Sequence, residues 1–269
     1  MSVFLCSLLR LGSIRQLSDD VKSGMIRKFL PKVGRETYCA NTIANGLENI
    51  DIDILQRELA VVPKKLRRNK AYGSSGHPRT IGGFRIVAVD GTEHFRSECI
   101  HCPDCMEVHV KTKDGIKNHY VHNMVIMYVV GRQHSSAVQV ILGAEPALPK
   151  DAVKGEEAGH EGEGTAAKRL IENMIDVYGN GFFDILTTDA YYSNKPFVEF
   201  VDSLDKYLVS RVKDARTTLY KEIEALSQMV EPIYVDDRDN RVESWIYEIP
   251  ELQSSLDWDL PTRGFRIIE

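Results

Sequence analysis

The chain has 269 residues, 43% hydrophobic and 27% charged, with a formal net charge of −5. That is enough for one large domain, or a core with a smaller partner, around an ordinary apolar interior. No apolar run approaches the roughly 18 residues a membrane-spanning helix needs, and Met1–Leu11, which carries Arg10 and no basic leader, reads as a buried helix rather than a signal peptide.

The charge is unevenly spread. Residues 1–85 hold 15 Lys/Arg against 7 Asp/Glu, so the remainder is strongly acidic. A basic segment ahead of an acidic one suits a protein that holds nucleic acid with one part and metal with the other; a solvated helix end accounts for the basic run equally well. The five cysteines are odd in number, and three are crowded together, which argues against a disulfide framework and for a reducing cytoplasm.

Residues 1–70 read as a helical, basic region. Ile43, Leu47, Ile50, Ile54, Leu55 and Leu59 follow helical spacing. Asp51-Ile52-Asp53 signals the start of a helix over Ile54–Val62, which Pro63 stops or restarts. The run Lys64-Lys65-Leu66-Arg67-Arg68-Asn69-Lys70 follows, and Lys64, Lys65, Arg67 and Arg68 are its candidate phosphate contacts. Residues 71–83, rich in Gly and Ser, read as a linker.

From residue 84 the pattern changes to strands at Phe84–Val89, Tyr120–Val130 and Ala137–Leu142, with a Cys-rich loop at 93–118. An acidic, Gly-rich loop covers 150–164. Then come a helix over Ala166–Tyr178, a strand over 183–188, a helix over 196–204, a strand over 207–212 and a helix over 216–228. This order predicts an α/β sheet, antiparallel on one side and parallel on the other. Beyond 230, Pro232–Asp236 and Val242–Ile249 flank a turn at Asp237-Arg238-Asp239-Asn240, and Phe265–Ile268 begins another strand.

Two of these strands deliver a carboxylate at their ends: Asp90 after Phe84–Val89 and Asp189 after Phe183–Thr188. Each could merely cap the turn that follows. On neighbouring strands of one sheet, the pair can share divalent metal for in-line attack on a phosphodiester. Cys102-Pro103-Asp104-Cys105 has the spacing of a zinc knuckle, with Cys99 adjacent and His101, His119 and His122 available as further ligands; three incidental thiols are the alternative. Glu163 reads as a helix N-terminal carboxylate, with a place near the metals as the alternative, and Lys213 as a phosphate contact or a solvated lysine.

Five motifs occur in order: Val87-Ala88-Val89-Asp90-Gly91-Thr92-Glu93; Cys102-Pro103-Asp104-Cys105; Tyr120-Val121-His122; Glu161-Gly162-Glu163 with Ala166-Ala167-Lys168-Arg169; and Thr188-Asp189-Ala190-Tyr191-Tyr192. Together they resemble the DDE transposases of bacterial insertion sequences, in the branch whose RNase H-like core carries a β-rich insertion. The resemblance implies an RNase H-like mixed sheet with flanking helices over 84–230. A small all-helical region over 1–70 would precede it for DNA binding and dimerisation, and a partial β insertion over 231–269 would follow.

It also implies two Mg²⁺ (or Mn²⁺) ions held by three acids, with Asp90 matching the first and Asp189 the second. Cys102 and Cys105 match the family's Cys pair and His122 its following His, with Cys99 beside them, as a structural Zn²⁺ site. The third family acid is a Glu on a helix beyond the β insertion. Residues after Asp189 read instead as a strand, a helix and the opening of that insertion, so a C-terminally truncated copy lacking the third acid is expected. Glu243, Glu248 and Glu251 lie in or beside the β hairpin and are set aside.

The implied function is strand cleavage and transfer at insertion-sequence ends, on DNA, by a cytoplasmic, nucleoid-associated homodimer. A non-catalytic DNA- or zinc-binding remnant and a structure-specific RNase H-like nuclease are the alternatives.

Overall fold

The computed structural model describes residues 13–24, 39–49, 52–72, 78, 80–113, 115–133, 136–148, 161–213, 217–239, 242–252 and 259–268. The chain divides into two compact units, Met1–Glu58 and Leu59–Glu269. In the first, α1 (Ile14–Lys22) packs against α2 (Ala40–Glu48), and α3 (Ile52–Leu59) follows. The apolar start, Met1–Leu11, lies outside the described residues. The second unit opens with α4 (Val61–Arg68), so the basic run is itself helical. The single helix expected over 54–62 is two helices meeting at Ala60. Pro63 sits in the first turn of α4, where its missing N–H breaks no helical bond.

The main sheet contains β1 (Ile86–Ser97), β2 (Met106–Thr112), β3 (Gly115–Gln133), β4 (Ser136–Pro146), β5 (Ile185–Thr188) and β6 (Tyr207–Ser210). Its order is β2-β3-β1-β5-β6, with β4 also paired to β3. At 19 residues β3 is long enough to take two neighbours in succession. β2 pairs with its first part and β4 with its second, while β1 runs along its other side. β1 to β4 are antiparallel; β5 and β6 run parallel to β1. Helices α5 (Glu163–Tyr178) and α6 (Lys195–Ser203) make the connections into β5 and β6. This is a mixed α/β fold, a mixed sheet with flanking helices, compatible with an RNase H-like fold.

The stretch 93–118 contains more strand than loop: the outer half of β1, all of β2 and the start of β3. The period-2 alternation Glu107-Val108-His109-Val110-Lys111 carries it. The loop itself is confined to residues 98–105.

The core lies between one face of the sheet and α5. Val87, Val89, Val125, Met127, Leu142 and Leu186 line that face. Ala166, Ala167, Leu170, Ile171 and Met174 form the buried stripe of α5, at the spacing of one helix face. Close approach is allowed by Gly143 on β4, where a Cβ would stand 2.6 Å from the Met174 sulfur. Among the described residues, Ile141, Tyr207 and Val209 on the opposite face are exposed. A second sheet, β7-β8-β9 (Tyr234–Asp239, Val242–Ile249, Gly264–Ile268), is antiparallel. It packs against α7 (Thr218–Ser227), where Arg266 donates to Ser227 Oγ at 2.9 Å. Among the described residues no helix is long and apolar enough to cross a membrane.

A charged clamp fixes where β1 and β5 begin. Asp184 Oδ2 accepts from the Arg85 backbone N–H and from Arg85 Nε, each at 2.8 Å. Arg85 also pairs with the other oxygen of that carboxylate and donates to the Gly181 carbonyl. The Arg85 bonds hold Asp184 down at about 2, against the opposing effect of burial.

Two outcomes are expected. Leu170→Ala should lower unfolding free energy by about 2–5 kcal/mol in denaturant titration, the usual cost of a cavity under a packed helix. Asp184 has a folded pKa below its unfolded value of 3.8. The clamp therefore stabilises fully above about pH 4 and is lost as pH falls through about 2. Because both side chains are partly exposed, Asp184→Asn should cost only about 1 kcal/mol at neutral pH. It should also flatten the acid limb of a stability-versus-pH curve.

Candidate functional site

β1 and β5 pair in parallel through Ile86 with Ile185, Val87 with Leu186 and Ala88 with Thr187. Each pair has the same offset. Carried two residues further, that offset leads from the paired strands to Asp90 on β1 and to Asp189 just past the end of β5. β5 ends at Thr188, whereas β1 continues to Ser97 along β3. Asp90 is thus in mid-strand, at the point where β1 loses its parallel neighbour, and it is exposed.

Asp189 does cap the turn that follows it, and its carboxylate is also tied to a lysine. Oδ1 accepts from the Tyr191 N–H at 2.9 Å and Oδ2 from Lys213 Nζ at 2.7 Å. Burial raises its pKa, but the Lys213 and Tyr191 bonds outweigh that, so the group is held below its ordinary range.

A third carboxylate reaches the same end of the sheet. Glu163 is the first residue of α5, and its carboxylate lies against the Cα of Gly91: a Cβ there would stand 2.1 Å from Glu163 Cδ. Glu163 Oε1 accepts from the Tyr192 hydroxyl at 2.6 Å. Tyr192 is fully buried. Burial, the bond to Glu163, and the charges of Glu163, Asp90 and Asp189 together push its phenol far above the ordinary value. Tyr192 is therefore a neutral donor that feels all three acids.

The start of α5 is pinned from behind. Arg169 donates to Glu145 Oε1 at 2.6 Å and to both oxygens of Glu161 at 3.0 and 2.8 Å. Glu161 also accepts from the Leu148 N–H at 2.8 Å, and its own N–H donates to the Leu148 carbonyl at 3.1 Å. Burial raises the Glu161 pKa, and these donors bring it below normal. Glu163 follows two residues later.

A second cluster lies beyond the β1 bulge at residues 93–95. Cys102 Sγ, Cys105 Sγ and His122 Nε2 all lie within 4.8 Å of one another, and the group could bind a metal ion. Cys99 is exposed and outside it. His101 stacks on Tyr120 at 4.6 Å.

The basic run is divided by helix periodicity. Lys64, Lys65, Arg67 and Arg68 are all exposed, but Lys64 and Arg67 rim an apolar cavity of about 250 Å³ with Tyr72, Val129, Val140 and Tyr178. Lys64 Nζ stands 5.5 Å above the Tyr178 ring, whose phenol burial pushes up to about 12. Glu248 pairs with Arg263 at 3.2 Å in the second sheet.

Sequence reasoning weighs Glu163 near the metals as the less favoured reading, and it misses the part of Tyr192, a buried core residue with no signal of its own.

No protein-family model matches the chain, and no curated protein matches it. One similar solved structure is the cryo-EM structure of the simian T-cell lymphotropic virus intasome in complex with PP2A regulatory subunit B56 gamma. The identity is 11%, the match covers 57% of this chain and 41% of that one, and the TM-score is 0.24. At that level it carries no argument about fold or function.

Removing the Tyr192 hydroxyl isolates one contact at this site. Tyr192→Phe should cost about 1.5–3 kcal/mol, the range for a hydrogen bond to a charged group. In the Gly91→Ala background, where the flexible Glu163 side chain must move aside, the same change should cost markedly less. A double-mutant cycle in chemical denaturation reads that coupling.

Proposed function

We infer that this chain is a DNA transposase of the DDE type, cutting and joining strands at insertion-sequence ends, with Asp90 and Asp189 as metal-binding acids. One observation carries the reading: the β1–β5 register, constant over its three pairs, leads β1 to Asp90 and the chain just past β5 to Asp189 at the same offset. The donor set is all carboxylate oxygen, which suits Mg²⁺ or Mn²⁺. Gly91 leaves room for the Glu163 carboxylate at this end of the sheet, where a Cβ would displace it. When bound, such ions activate a water or 3′-hydroxyl and stabilise the departing oxygen.

The residues present have separable tasks. Asp189, kept ionised, supplies a charged oxygen. Lys213 occupies that oxygen in this structure and would be free to meet a phosphate once a stronger cation takes its place. Tyr192 keeps Glu163 oriented without adding charge. Glu163 takes the part of third acid, which the resemblance assigns to a Glu beyond the β insertion. Lys65 and Arg68 supply sequence-independent phosphate attraction. DNA and a second copy of the chain on the paired ends are the partners in this reading.

Having a third acid within residues 1–269 also favours a second reading, an RNase H-like nuclease that cuts without joining. Mg²⁺-dependent nicking of a supercoiled plasmid tests the site. Asp90→Asn and Asp189→Asn should each reduce nicking at least 100-fold, with circular dichroism unchanged. Glu163→Gln should reduce it comparably; full activity in that variant would remove Glu163 from the site. Activity untouched by either aspartate change would end the catalytic reading. Joined products on terminal-repeat DNA separate transposase from nuclease.

A further inference from the structure

The apolar face of the main sheet extends past the helix that covers it. α5 stops at Tyr178, while Val129 on β3 and its register partner Val140 on β4 continue the surface begun by Met127 and Leu142. There α4 forms the roof, and the cavity of about 250 Å³ lies between roof and sheet. It falls wholly within the unit Leu59–Glu269.

Its walls are hydrocarbon and aromatic ring. Tyr178 and Phe182 pack against each other with centroids 5.3 Å apart. The Tyr178 hydroxyl is already bonded, donating to the Leu142 carbonyl at 3.2 Å. The mouth, by contrast, is cationic. Lys64 and Arg67 are three residues apart on α4, the spacing of neighbours on one helix face; both line the cavity and both are exposed. Lys64 Nζ is folded over the Tyr178 ring, 5.5 Å from its centroid. A cation over a ring at the water's edge is a weak tie, and a hydrogen-bonded carboxylate is a stronger partner for it.

Size narrows the occupant. An apolar cavity of roughly 150 Å³ holds benzene, or about 25 Å³ per heavy atom. On that scale this one holds about ten heavy atoms.

We propose that the cavity binds a small apolar acid. Its aromatic or branched hydrocarbon body, of about ten heavy atoms, lies against Tyr178, Phe182, Val129 and Val140, and its one carboxylate sits at the mouth between Lys64 and Arg67. The head stays in contact with water, so the charge pair escapes the desolvation cost of a buried one, and burial of the body supplies the affinity. A nucleic-acid backbone, the other anion a basic helix meets, is charged along its length and would leave a hydrocarbon cavity unfilled. Bound there, the acid ties α4 to β3, β4 and the end of α5. This site is independent of the strand-transfer reading.

The test uses the full chain and 3-phenylpropanoate, with 3-phenylpropan-1-ol and 3-phenylpropan-1-amine as neutral and cationic counterparts of the same shape. Calorimetric titration should show one site per chain, with the acid about 10-fold tighter than the alcohol and the amine weaker than both. Nuclear Overhauser contacts should join the probe's ring to the methyl groups of Val129, Val140 and Leu142. Lys64→Gln and Arg67→Gln should each weaken the acid about threefold or more and leave the alcohol within about twofold, whereas Lys65→Gln should leave both within about twofold. Val140→Phe fills the cavity and should remove binding of acid and alcohol alike, with the melting midpoint unchanged or raised. Should that variant not fold, the methyl contacts and the two charge variants decide the question.

Several results would overturn the proposal. One is an acid no tighter than the alcohol, or probe contacts to residues elsewhere. Another is a folded Val140→Phe protein that binds the acid as before. Displacement of the probe by inorganic phosphate at equal concentration would make this a bare anion site. Displacement by a short single-stranded oligonucleotide that binds the same residues more tightly would make it a nucleic-acid surface.

Discussion

The parallel pairing of β1 with β5 is the constraint on which the rest of the molecule depends. Only three residue pairs define it, and parallel ladders are slightly weaker per residue than antiparallel ones. It is held at one end by the Arg85–Asp184 clamp and underneath by the side chains that α5 buries. The clamp sets the level at which both strands start. From that level each strand counts to its aspartate. A slip of one residue would turn one carboxylate to the opposite face, so the charged pair at the start of the strands governs where the two aspartates stand.

The same end of the sheet shows how a fold gathers like charges without neutralising them all. Asp90 is left to solvent, where β5 has departed. Asp189 is answered by Lys213 and a backbone amide. Glu163 is answered by a phenol that cannot ionise in that setting. Each solution costs less than burying an unpaired carboxylate. Together they set three carboxylates at one end of the sheet, each with a different answer to its charge.

Much of the architecture was legible in the sequence because it rests on periodicity. The Val87 and Val89 alternation, the Ala166 to Met174 stripe and the paired apolar runs predict the mixed sheet and its main helix. The outer half of β1 was not legible. Past Asp90 its residues are Gly91, Thr92, Glu93 and His94, which lack apolar alternation, and only pairing with the long β3 makes them strand. The small strand β2 was masked by the cysteines that precede it. At the site, residue types announced Asp90, Asp189 and the Cys-Pro-Asp-Cys turn. Glu163 was legible only as one of two readings, because an acid at a helix start is ordinary until its contact with Gly91 is seen, and Tyr192 was hidden because a tyrosine in a core announces nothing.

The reciprocal bonds between Leu148 and Glu161 close a chain segment on itself. Its two described ends, Leu148 and Glu161, are thus held at one hydrogen-bonded point braced by Arg169, and that point sets where α5 starts and so where Glu163 meets Gly91.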